Sequence, residues 1–575
     1  MKFRPTRYSA LLALLLAFGT AASAAEQATT THKHYDESPA AQAPGPQGEL
    51  APRLQNLGGH VFPVSTQNAQ AQSFINQGLN LAYGFNHAEA RRAFREAARL
   101  DPALAMAYWG QALVLGPNIN ALMEANEEPS ALQLAGKAQA SAATASAREQ
   151  ALIGALLKRY SGDPEHRRSN DQAYAAAMRA VHGQYPDDLD IAMLYVESMM
   201  DLRPWGYWMP DGQPHEGTAE IVALTEEVLK RNPKHPGALH LHIHLLEPTP
   251  TPERAEHSAD TLLRLMPAAG HMVHMPSHIY QRVGRYEDAM KSNLLAVAAD
   301  EDYITQCRAQ GLYPMAYYPH NIHFLWFAAM FDGQLAVARD AGRKVAAKID
   351  DKTLTAMPML AGFRVVPYWT LLRFGQWQEM LNEPAPPVDN AYLTGAWQYG
   401  RGQAYVATAR LAEAKRELAA LENTLKDASL SQALFSPNTA RAILSVGAPS
   451  LAGEIAAAEH RYDDAITQLE RAVRLEEALV YTEPSEWAYP PRHALGAVLL
   501  AAGRAGEAEN VFWQDLKRHR ENGWALTGLA QALRAQHKDA LATVVEKRLA
   551  KAWARTEVKP ASARFGYALS AAVPR

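Results

Sequence analysis

The chain has a single cysteine, Cys307, in 575 residues. No internal disulfide can form, and the absence of further thiolates argues against an iron–sulfur cluster. A chain of this length buries enough core to need no disulfide, even outside the cell. Beyond the N-terminus no apolar run approaches the ~20 residues that span a bilayer. Positive charge is not in excess: 56 basic residues face 60 acidic ones, for a net −4, which leaves no electrostatic footprint for nucleic acid. Alternating strand patterns are missing. So are a Gly-rich phosphate loop, a nucleophile elbow and an HExxH motif.

What is present begins with an export signal. Lys2, Arg4 and Arg7 precede the apolar stretch Ala10 to Phe18, and Ala22-Ser23-Ala24 offers a small-residue cleavage site. Residues 1–24 are therefore expected to be removed and the mature protein to be periplasmic or secreted. No cysteine follows the cleavage site to carry a lipid. Residues 25–54 are rich in Ala, Gln, Thr and Pro, and are expected to be a disordered leader.

The remainder is Ala- and Leu-rich with helical periodicity and a 34-residue repeat. In Ala71–Leu104, Gly78, Ala90, Phe94, Ala97 and Pro102 follow the order small, small, aromatic, small, helix-breaking. Val446–Leu479 and Tyr489–Asn522 are further copies, and "GRYEDA" and "RYDDA" recur at the turn into the second helix. This pattern resembles the tetratricopeptide repeat. The resemblance implies an all-α, right-handed solenoid of helix–turn–helix units, divided into residues 55–350 and 351–555 with a tail at 556–575.

Nine of the 21 histidines lie between His240 and His323. His240 and His244, then His271, His274 and His278, then His320 and His323 recur at spacings of three and four, which share a helix face. In repeat phase they occupy positions two, five and nine of three successive first helices. Glu197 falls at position nine, Asp201 at thirteen and Glu247 at twelve. The tetratricopeptide resemblance implies that these positions line the concave groove. His242 and His257 fall off that face.

Imidazole is the commonest protein metal ligand. The expected metal set is thus His240, His244, His271, His274, His278, His320 and His323 with Glu197 and Asp201. Glu247 is a ligand or general base. That exceeds the three or four protein ligands of one zinc, so the region implies more than one ion, or one ion ringed by further histidines. Imidazole with carboxylate suits a divalent transition metal, zinc or copper ahead of iron. An open coordination position would serve hydrolysis through metal-bound water or oxidation of a substrate. Two insertions, Arg203–Thr218 and Ile304–Tyr318, carry aromatic residues that Plain repeats do not need, as a lid or substrate wall would. A third aromatic connection runs from Tyr481 to His493.

"LAYGFNHAEARRAFREAARLDP", "GHMVHMPSHIYQRVGRYEDA" and "YYPHNIHFLWFAA" resemble a group of exported bacterial tetratricopeptide proteins. The resemblance implies the fold and no assigned activity. A small molecule or peptide in the groove is the expected ligand. The alternative is a non-enzymatic adaptor for an envelope protein.

Overall fold

The computed structural model describes residues 44–45, 48–209, 211–307, 313–432, 434 and 437–566. The expected signal, most of the leader and the end of the tail lie outside the described residues. Among the described residues there are helices and no strands, and successive helices pair in antiparallel fashion as an all-α solenoid. The paired helices Ala69–Tyr83 and His87–Leu100, Gly447–Ala458 and Tyr462–Glu477, and Pro491–Ala501 and Ala505–Arg518 coincide with the three repeats read from the sequence.

Small residues set the pairing distance. A Cβ added at Gly78 would stand 2.6 Å from the Phe94 ring, and one at Gly453 2.6 Å from Leu469. Phe512 is wedged between two glycines, Gly496 and Gly528, at 2.3 and 2.1 Å. A larger residue must push the helices apart, and overpacking of this kind costs ~1–3 kcal/mol. Gly496→Val is therefore expected to lower the urea midpoint of the chain. A midpoint equal to that of the parent would mean that the repeat tolerates a wider pairing.

Three boundaries differ from the sequence reading. Leu50 N–H donates to Glu96 (2.8 Å) and Leu54 N–H to Gln77 (3.0 Å), so the chain is tied down before residue 55. The apolar core runs without a break across residue 350, where Ile349 is buried. At the other end Arg564 is buried against Glu454 (2.8 Å) and Ala563 belongs to the C-terminal core. Terminal segments with few large apolar residues pack because repeat edges expose backbone and apolar surface that something must cover.

The C-terminal repeats return to the middle of the chain. Trp524 Nε1 donates to the Met330 carbonyl (3.0 Å), Trp553 Nε1 to that of Phe331 (3.0 Å), and Glu557 N–H to that of Gly333 (3.1 Å). Nearby, Arg373 Nη1 donates to His493 Nδ1 (3.0 Å), which leaves the His493 Nε2 proton for Asp515 (3.0 Å).

Burial holds His493 down at about 4, outweighing the attraction of Asp515. The unfolded chain takes up this proton near the ordinary imidazole value of ~6.5. Between those values the unfolded state holds more protons, so stability falls as pH drops from about 6.5 to about 4, by up to ~1.4 kcal/mol per pH unit for this residue. His493→Gln is expected to flatten the slope of unfolding free energy against pH across that window. An unchanged slope would assign the acid sensitivity to other groups.

Candidate metal centre

Four helices carry the six imidazoles that converge. His240 and His244 lie one turn apart on Pro236–Leu246, a helix started by Pro236 and capped by the His235 side chain. His271 and His274 lie on the short helix Gly270–His274, and His278 on Pro276–Val283, which Pro276 restarts after a break at Met275. His320 lies in the first turn of Tyr318–Asp332, directly after the π-helical turn Tyr313–Tyr317. Their ligand atoms gather as two groups. In His240, His244 and His271, and again in His274, His278 and His320, one nitrogen from each ring lies within 4.8 Å of the others.

The spacing of the Gly270–His274 and Tyr318–Asp332 helices is held by Asp300. Its carboxylate accepts from Tyr313 (2.8 Å) and Asn321 (2.6 Å), while Tyr313 Oη accepts the His271 N–H (3.1 Å). Gly270 is required beside it, because a Cβ there would fall 1.8 Å from Asp300 Oδ1. Burial pushes this carboxyl up to about 7.

The outer nitrogens of four rings face acceptors. His240 Nδ1 lies 2.6 Å from the Tyr83 carbonyl and His274 Nδ1 2.7 Å from Asn293 Oδ1. Asn293 is oriented by its own amide, which donates to the Ala289 carbonyl at 2.7 Å. Glu247 serves two rings: Oε1 is 3.3 Å from His244 Nδ1 and Oε2 2.9 Å from His278 Nδ1. A neutral imidazole that donates from Nδ1 keeps its lone pair on Nε2. The Nε2 atoms of His240 and His244 are 3.0 Å apart, and those of His274 and His278 are 2.9 Å apart. His271, 3 % exposed, finds no hydrogen-bond partner for either nitrogen.

Burial keeps most of these rings neutral. It holds His240, His271, His274 and His320 well below the ordinary imidazole value, with repulsion from neighbouring rings adding to it, and it lowers His244. His278 differs: burial would lower it, but Glu247 and Glu483 raise it to about 10. Glu247 is drawn down to about 2 by His278 and His244 against the opposing effect of burial.

The insertions close over the first group. Trp205 meets the His244 ring edge-on at 5.1 Å, Tyr317 meets His271 at 4.8 Å, and Phe85 lies 4.5 Å from His240. Phe324 walls the second group, 4.4 Å from His278. Trp208 Nε1 pins its loop to the Leu245 carbonyl (2.7 Å). The two insertions thus touch the same triad.

Other expected ligands are not brought in. Asp201 pairs with Arg159 at 2.6 Å. Glu197 lines a small cavity with Arg159, Tyr83, Tyr174 and His87. Burial raises Glu197 to about 8 and Asp201 to about 7, the two repelling each other beside the one guanidinium. Arg159 from the preceding rung pairs with Asp201, and Glu197 lines the same small cavity as that guanidinium. His323 stacks on Trp326 at 5.1 Å and against Phe363 at 5.5 Å, because a three-residue step turns it about 60° from His320. Glu247 faces imidazoles through their outer nitrogens, and with His278 and Glu483 it forms a further group whose ligand atoms lie within 4.8 Å of one another. His242 packs on Ser258 (2.8 Å), as its position off the groove face implied.

Two features escaped the sequence reading. Glu483, from the Tyr481–His493 connection, places Oε2 2.7 Å from His278 Nδ1, and Tyr481 Oη donates to the Glu247 carbonyl at 3.2 Å. The other is a cluster of His60, Asp190 and His235. His235 Nδ1 accepts the Ala238 N–H (3.2 Å), so its proton sits on Nε2, 3.3 Å from Asp190. Asp190 also accepts from Tyr83 and faces His60, both at 2.8 Å. His235 Nε2 makes no hydrogen bond there, while the Asp190 contact ties Tyr83, the carbonyl partner of His240, in place.

No helix of the described residues is long and apolar enough to cross a membrane. The chain matches no family model and no curated protein. Among solved structures, the human IFIT1 dimer with m7Gppp-AAAA aligns at 12% identity over 85% of this chain and 91% of that one, with a TM-score of 0.31. The APC/C hetero-tetramer Cut9–Hcn1 aligns at 13% identity over 85% and 76%, with a TM-score of 0.28. Naa15/Naa10 bound to HypK-THB aligns at 12% identity over 84% and 76%, with a TM-score of 0.20.

Proposed function

We propose that this chain is an exported metalloprotein whose solenoid holds a transition-metal centre for metal binding or for metal-dependent chemistry on a small molecule or peptide. One observation carries the reading. Two pairs of Nε2 atoms meet at 3.0 and 2.9 Å while the Nδ1 atoms of the same rings face acceptors. Lone pairs brought to that distance need a proton or a metal ion between them, and the convergence of a third ring on each pair favours a metal ion. With bonds of ~2.0–2.1 Å, two tetrahedral zinc ligands stand roughly 3.3 Å apart. Outer acceptors that fix the tautomer are what metal-binding imidazoles carry. Three rings per ion leave a coordination position open for water or substrate.

An adaptor role of the solenoid stands as the second reading; it gives no purpose to the pairing of His240 with His244 and of His274 with His278, all buried. The test is elemental analysis of protein purified from its native compartment, beside the variant His244→Ala with His274→Ala. Stoichiometric metal in the parent and background metal in the folded variant are expected. Trace metal, unchanged in the variant, would sink the reading.

A further inference from the structure

Six imidazoles are more than one ion uses, and their nitrogens collect as two threes rather than one six. The triads nevertheless touch: His244 and His278 have ring centroids 6.0 Å apart, and His271 and His274 5.9 Å apart. Glu247 joins them, holding one ring of each triad by its outer nitrogen. As metal ligands the imidazoles are neutral donors, once His278 gives up the extra proton it holds in the metal-free chain. The carboxylates that meet their rings are Glu247 and Glu483, which bring at most two negative charges.

We infer that the centre takes two ions, one in each triad, coupled through Glu247, and that it is built for singly charged copper rather than for two divalent ions. This rests on the metal-centre reading above. Two singly charged ions balance the two carboxylates. Two divalent ions would leave two positive charges uncompensated among buried aromatic rings, where unpaired charge is costly. Their mutual repulsion is also fourfold greater at equal separation, since it scales with the product of the charges. Imidazole suits copper, and three nitrogens can hold a singly charged ion without the water that completes a three-residue zinc site. The asymmetry of the outer acceptors separates the triads: His274 leans on Asn293 and His278 on two carboxylates, while His271 has no outer partner.

The experiment is an anaerobic titration of the metal-free full chain with Cu(I), in competition with a chromogenic chelator, beside a titration with Zn(II). Two equivalents of copper and one of zinc are expected. His271→Ala and His320→Ala should each remove one copper and leave the other. Copper-edge X-ray absorption on the parent, which needs no variant, should show nitrogen donors alone. One equivalent of copper, two of zinc held as tightly as copper, or oxygen bound to copper overturns the inference while leaving a metal centre. Failure to bind either metal overturns the centre itself.

Discussion

Protein stripped of metal by a strong chelator unfolds at a markedly lower temperature than the same protein reloaded. The ligands come from residues 240 to 320 and are oriented by Glu247, Asn293 and the Tyr83 carbonyl, so the site exists only in the folded chain. An ion that binds the folded state alone stabilises it by ~4 kcal/mol at a thousandfold excess over its Kd. The stripped protein meanwhile keeps the close nitrogen pairs, in which a proton must stand in for the ion. His278, raised to about 10, donates that proton to His274. In the other pair both rings are held below the ordinary imidazole value, so the contact between His240 and His244 is the more strained of the two. Differential scanning calorimetry with and without metal measures the difference. The His244→Ala, His274→Ala variant should show one midpoint in both conditions. Equal midpoints for stripped and reloaded parent would refute the claim.

Local order was legible in the sequence. A helical period and a small–aromatic–small repeat report contacts within a few dozen residues, and Gly78 against Phe94 is such a contact. The four-residue steps His240 to His244 and His274 to His278 were legible for the same reason, since one turn stacks them. Three-residue steps mislead. They turn the side chain by about 60°, enough to send His271 and His274 to different triads and His323 out of both.

Position within a repeat fixes a face, not a partner. Repeat phase groups Glu197 and Asp201 with the histidines, whereas the Arg159 guanidinium on the neighbouring rung pairs with Asp201. Glu483 was beyond reach by any local pattern. It is a loop residue more than 200 positions from Glu247, delivered by the return of the C-terminal repeats onto the middle ones. The Tyr481–His493 connection was visible as an anomaly; its destination was not. His60 and His235 were missed because one lies in an extended segment and the other caps a helix, and neither has a periodic companion.

Replacing Glu247 by glutamine weakens both ions, whereas replacing Asn293 by alanine weakens one. Glu247 faces His244 with one oxygen at 3.3 Å and His278 with the other at 2.9 Å. Glutamine keeps one acceptor and sets an amide N–H against the second ring's N–H, so one imidazole loses its orientation and the other loses a charged partner. Removal of an outer acceptor of this kind costs 10–100-fold in metal affinity, and Glu247→Gln removes it for both triads together. Asn293 touches only His274 of the second triad, so its loss should leave the first ion at parental affinity. Glu483→Gln should be milder than either, because His278 retains Glu247. Chelator competition measured ion by ion distinguishes these cases. If Glu247→Gln abolished one ion and spared the other, Glu247 would be a direct ligand of the lost ion and not the carboxylate that holds the two triads in register.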